Sequence, residues 1–149
     1  MAASANPRAR LEHILFHIQG VADTIGGISF DTYTSVYHME RTVERAVQII
    51  SEAVRTLPTE ITVRYPEVEW TKIAGIGNIL RHEYERVDPA IMWDIAPIEL
   101  PKLEMVVRRM LADLAASWNH SRGEQPSDRQ RTTTRNNDFA RQETSQSLS

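Results

Sequence analysis

Between positions 78 and 84 the chain places Asn78, Arg81, His82 and Tyr84 within about two turns of any helix that carries them. An imidazole ordinarily titrates near neutral pH, so it can take up or return a proton during a reaction. A guanidinium stays charged and matches phosphate oxygens with paired donors. Asn78 precedes His82 by four residues, which on a helix is the same face, where its amide could hold the imidazole or touch a phosphate. Such a set suits work on a phosphodiester. Taken alone, however, these residues favour a plainer reading, a surface histidine in which His82 stands beside Glu83 and near Glu85.

Other candidates are weaker. His13 and His17 have the i, i+4 spacing of a metal pair, but no third ligand is evident and flank histidines are the better reading. Trp70 and Trp93 read as core anchors. Arg108 and Arg109 read as helix solvation or compensation of the helix dipole. The chain has no cysteine, which removes disulfides, thiolate nucleophiles and cysteine-based zinc sites together. Net charge is −3, so no global basic field exists to hold a long nucleic acid, and any RNA role needs a local site.

These residues need a scaffold. At 149 residues, with 41% hydrophobic and 25% charged residues, the chain suits one soluble globular domain. It has no apolar run long enough to span a membrane, and its start, MAASANPRARLEH, lacks the apolar stretch of a secretory signal; a cytoplasmic location is expected. Leu11, Ile14, Leu15, Ile18, Val21 and Ile25 recur at spacings of three and four, predicting a first amphipathic helix over residues 8–25, ended by Gly26 and Gly27. A second, longer helix is expected from after Ser29 to about Leu57, with Glu40, Arg41, Glu44 and Arg45 as a solvated flank. Pro66 should open a third over residues 67–85. A short piece near 89–95 and a last helix over 101–118 complete an all-α expectation.

After Trp118 the composition changes: residues 119–149 hold only Phe139, Ala140 and Leu148 as hydrophobic residues. Residues 1–118 are therefore expected to be the folded domain, and 119–149 a disordered polar tail. The tail's five arginines and four acidic residues give +1, which leaves −4 for residues 1–118.

On the third helix, Ile73, Ala74, Ile76, Gly77, Leu80, Tyr84 and Val87 share an apolar arc, Asn78, His82 and Glu85 a polar one, and Arg81 falls between them. Gly75 and Gly77 interrupt this pattern at about 1 kcal/mol each relative to alanine, so something must offset them. Close approach of another helix or of a second subunit is the favoured explanation, and room for a side chain from the next turn is the alternative.

The stretch GIGNILRHEYERVDPAIMWDI, residues 75–95, is similar to the core motif of HepT-like proteins of the HEPN superfamily. ERAVQIISEAVRTLP, YPEVEWTKIAG and ELPKL fall in the order and spacing of that family, and the resemblance covers roughly residues 8–115. It implies a dimeric, up-and-down HEPN-type helical bundle that cleaves RNA without a cofactor through a composite cleft between two copies. It also implies a cognate nucleotidyltransferase antitoxin of the MNT type that uses ATP to add AMP to the motif tyrosine. Carried over residue by residue, the motif places its Asn at Asn78, its His at His82 and its Tyr at Tyr84.

The motif arginine is the exception. Its position is Gly77, and an arginine stands four residues later at Arg81. Helical side chains lean toward the N-terminus, so Arg81 could lay its guanidinium over Gly77, with glycine supplying the room. His82, Arg81 and Asn78 are the expected catalytic residues and Tyr84 the expected modification site. The competing readings are a non-catalytic HEPN subunit that binds substrate for, or scaffolds, a nucleotidyltransferase, and a helical interaction protein without a ligand.

Overall fold

A computed structural model of the chain describes residues 6–83, 85 and 88–123. Among the described residues the regular structure is helical: α1 (Pro7–Ile25), α2 (Phe30–Ser35), α3 (Tyr37–Arg55), α4 (Thr59–Thr62), α5 (Trp70–His82) and α6 (Pro89–Gly123), with no strand. The all-α expectation holds. None of these helices is long and apolar enough to cross a membrane.

The start of α1 is fixed by Asn6, whose side chain accepts a hydrogen bond from the Arg8 amide, and by Pro7 in the first turn, where a missing N–H costs nothing. Its stripe of Leu11, Ile14, Ile18 and Val21 is buried against α3 and α6. The Gly26 amide closes the helix on the Ala22 carbonyl (2.8 Å), and Gly27 follows at φ 76°, a left-handed conformation that a β-carbon disfavours.

The predicted second helix is two. Ser29 caps α2 by accepting from the Thr32 amide, and Val36 then adopts an extended backbone (φ −113°, ψ 98°) before α3 begins. Thr34 and Ser35 turn their hydroxyls back onto the carbonyls of the preceding turn, a local alternative that lets hydroxyl-bearing residues end a helix. The supposedly solvated flank of α3 also differs. Glu40 and Glu44 are largely covered, and Arg41 pairs with both at 3.4 and 3.0 Å. Burial pushes the Glu44 carboxyl above its ordinary range. The buried Tyr33 hydroxyl is pushed up to about 12 by burial and then by Glu44.

α3 is the hub of the bundle and packs on α1, α2, α5 and α6. Its buried residues are Val43, Ala46, Val47, Ile50, Ser51, Ala53 and Val54. The third predicted helix starts later than Pro66, at Trp70, after the short α4 and a turn at 63–69.

Pro97 and Pro101 do not divide the last region: α6 is continuous through both and runs past Trp118 to Gly123. An interior proline removes a helical hydrogen bond and costs about 3 kcal/mol. Both prolines are exposed, while Met92, Ala96, Leu100, Leu103, Val107 and Met110 form an unbroken buried stripe. That stripe holds the helix together across the breaks. Residues 124–149, and with them most of the expected disordered tail, lie outside the described residues.

Candidate functional site

The helix that carries the candidate residues is docked by its backbone. Trp70 opens α5 with its indole N–H donating to the Tyr65 carbonyl at 2.9 Å. One turn further on, the buried Ser51 hydroxyl of α3 donates to the Ala74 carbonyl (2.9 Å) and accepts from the Gly77 amide (2.8 Å). A β-carbon on Gly77 would lie 2.7 Å from Ser51 Oγ and 3.1 Å from Ser51 Cβ. Glycine at 77 is thus required by the approach of α3, and the close-packing explanation holds there. Gly75 has nothing within 4 Å of where its β-carbon would be, so the same explanation does not extend to it.

Around this seam the polar side chains form a chain across two helices. Arg55 of α3 donates to Asn78 Oδ1 at 3.2 Å and lies 3.6 Å from Glu52 Oε1. Glu52 Oε1 in turn pairs with the Arg81 guanidinium. Asn78 and Arg81 are therefore tied together through Arg55 and Glu52. Arg81 does lean back as expected, since the oxygen it binds is 3.6 Å from where a Gly77 β-carbon would be. The space beside that glycine, however, is filled by Ser51, not by the guanidinium. An arginine at 77 would have to displace Ser51.

Arg81 and Glu52 are each about two-fifths exposed, at 43% and 41%. A pair this open contributes within about 1 kcal/mol. Glu52 therefore orients Arg81 without locking it, and a phosphate can compete for the guanidinium.

His82 ends α5 and is exposed, and among the described residues its ring forms no hydrogen bond. The Glu83 amide closes the helix on the Ile79 carbonyl at 2.8 Å. Tyr84, the expected modification site, lies outside the described residues.

The chemistry this arrangement offers is an exposed imidazole adjacent in sequence to a guanidinium held by one carboxylate, with an amide one turn earlier on α5 and a second guanidinium on α3. A family model, ribonuclease HepT-like, matches residues 14–110. The chain belongs to the HepT-like family. A protein of Caldanaerobacter subterraneus subsp. tengcongensis named "Putative RNase TTE0752" is 37% identical over 105 residues, covering 70% of this chain and 94% of that one. A Methanocaldococcus jannaschii protein named "Putative RNase MJ0127" is 29% identical over 76% of this chain and 94% of its own length. The "Probable ribonuclease HepT" of Thermococcus cleftensis is 28% identical over 63% of this chain and 86% of that protein. No solved structure matches.

Within this HepT-like chain, Ser51, Glu52 and Arg55 are the residues that sequence reading passed over. A serine among Val47, Ile50 and Val54 on an apolar stripe was the available signal, because a buried hydroxyl needs a partner. Nothing local pointed from Glu52 or Arg55 to a helix more than twenty residues away.

The geometry also places two other groups of residues singled out in the sequence. His13 and His17 bring their Nε2 atoms to 3.1 Å, but no group of three or more His, Cys, Asp or Glu is gathered among the described residues. Arg109 is not merely a solvated residue of α6. It pairs with Glu67 and stacks on the Tyr65 ring at 5.1 Å, while the Tyr65 hydroxyl donates to Asp113, so these groups fasten α6 to the turn before α5. Arg108 keeps the solvating role, paired with Glu104 at 2.8 Å.

Proposed function

We propose that this protein is a metal-independent endoribonuclease, the toxin of a toxin and antitoxin pair, acting as a homodimer with His82, Arg81 and Asn78 at a cleft built from two copies. The observation that carries the reading is the joining of Arg81 and Asn78 in one network beside an exposed His82, in a chain of the HepT-like family whose relatives bear RNase names. The 2′-hydroxyl of the substrate is the nucleophile. His82 takes its proton, the 2′-oxygen bonds to phosphorus, and the 5′-oxygen leaves and is protonated, giving a 2′,3′-cyclic phosphate and a 5′-hydroxyl. Arg81 meets the charge that gathers on the phosphate oxygens, and Asn78 positions the phosphate or the ring.

His82→Ala should lower cleavage of a single-stranded RNA by about 10²- to 10⁴-fold. Arg81→Ala should lower it by about 10²-fold. Both are read by gel with a chelator present, and full activity in His82→Ala removes the assignment. The antitoxin is a nucleotidyltransferase that uses ATP to add AMP to Tyr84, placing bulk and negative charge beside the RNA site. Mass spectrometry after co-expression with an adjacent nucleotidyltransferase should find a Tyr84 peptide carrying AMP; an unmodified peptide removes that mechanism.

A second reading has its own support. Ser51 closes position 77 to the arginine that the family motif places there, which favours a non-catalytic subunit that binds substrate for a nucleotidyltransferase or scaffolds it. Overexpression separates the two: growth arrest with RNA breakdown belongs to the first, and neither effect belongs to the second.

A further inference from the structure

Arg81 also borders an open groove of about 420 Å³ between α1 and α3, with walls that include Arg10 and His13 of α1 and Arg45, Gln48 and Glu52 of α3. We propose that this groove binds the phosphodiester backbone of a single RNA strand and leads it to the motif helix, with Arg81 as the junction. The inference rests on the nuclease reading for its purpose, though not for its geometry.

Charge is the first support. Acidic residues outnumber Lys and Arg in the chain, 20 to 17, yet this groove gathers three arginines and a histidine against Glu52 alone. A net acidic protein that concentrates guanidiniums in one concavity has a local field where its global one is absent, and such clefts raise the local concentration of an anionic strand. The field acts on a neighbour: His17, one turn along α1, is held below its ordinary value by burial first, then by His13 and Arg45.

Shape and donors are the second. Arg45 and Thr56 mark the two ends of the α3 wall, eleven residues and so about 16 Å apart, a run that accommodates several phosphates of an extended strand. Arg10 is pinned across the groove by its bond to Thr56, and Arg45 is steadied by Gln48 at 3.1 Å. A guanidinium has five N–H donors, so each retains others for phosphate oxygens. Apart from Ile49 and Ala53 the lining is polar, which suits a backbone and not an apolar ligand.

The test uses full-length protein and a 2′-O-methyl oligonucleotide that resists cleavage. Arg45→Gln alone should weaken binding, and Arg10→Gln with Arg45→Gln should weaken it at least about tenfold near 0.1 M salt. The pair should also lower the slope of log K against log salt by about 1.4, because each phosphate contact with a single strand contributes about 0.7. On cleavable RNA the pair should raise KM more than it lowers kcat. Arg45 is exposed and, among the described residues, hydrogen-bonded only within its own helix, so Arg45→Gln keeps the test valid if the Arg10 change disturbs folding.

Unchanged affinity and slope in both variants overturn the groove, as does equal competition by 5′-AMP, which would mark a mononucleotide pocket. Loss of binding that follows a change in oligomeric state also overturns it, by assigning the face to self-association. Failure of the two readings can be told apart. A parent protein that binds the oligonucleotide with the expected slope but cuts no RNA keeps the groove and loses the nuclease. Cleavage with a KM indifferent to the pair does the reverse.

Discussion

α1 and α5 have similar amphipathic patterns and opposite situations. α1 is enclosed between α3 and α6 and buries Leu11, Ile14, Ile18 and Val21 almost completely. α5 leans mainly on α3, and of its residues only Gly77 is fully buried; Ile73, Ala74, Ile76 and Leu80 are partly covered and Ile79 is 52% exposed. The first helix is held by packed methyl groups. The second is held by a serine on its backbone and by a chain of exposed polar pairs. A helix attached this way can present its polar edge to a ligand, but its position depends on a few contacts that single substitutions can remove.

The contrast is broken most strongly from the α1 side. Ile14 is fully buried, and Ile14→Ala should destabilise the fold by about 2–5 kcal/mol, whereas Ile79→Ala on α5 should change it by less than about 0.5 kcal/mol. Denaturant unfolding of the two variants checks this, and equal losses would mean that α5 is as enclosed as α1.

Next in size is Gly77→Ala, which forces a β-carbon to 2.7 Å from Ser51 Oγ on a rigid helix. Overpacking of this kind costs about 1–3 kcal/mol. Adding Ser51→Gly removes both close atoms and should recover part of the loss, measured by a double-mutant cycle. Gly75→Ala, two residues away and facing open space, should instead stabilise α5 by up to about 1 kcal/mol. If both substitutions act alike, the Ser51 contact is not what holds α5.

That pair of glycines shows what the sequence could and could not reveal. The periodicity located α1 and most of α5, including the placing of Asn78 and His82 on a polar arc with Arg81 at its seam with the apolar one, because one face of a helix follows from spacing alone. It also showed that two glycines carried a cost needing compensation. Which residue compensates depends on where α3 lies, and Ser51 is separated from Gly77 by the α3–α5 connection. The same limit hid the link from Arg109 to Glu67. Local competition accounts for the other misses: hydroxyl back-bonds and an extended Val36 divided α2 from α3, although hydrophobic spacing continued beyond the break. In α6 a continuous buried stripe carries the helix across the break expected between residues 95 and 101, through two exposed prolines.

The smallest effect concerns titration, where enclosure again distinguishes α1. His17 is partly buried, and burial, His13 and Arg45 together hold it below the ordinary 6.5. The unfolded chain therefore binds this proton more readily than the folded one, so unfolding is favoured as pH falls, and stability should rise with pH through the window at and just below 6.5. Tm measured from pH 5 to 8 should increase across that window and level off above it. His17→Gln should flatten this part of the profile, and Arg45→Gln should flatten it less, since Arg45 is the last and least of the three causes. A profile unchanged by His17→Gln would place the proton linkage on another group. A profile flattened equally by both would mean that charge from the groove, more than enclosure by the bundle, sets the histidine's state.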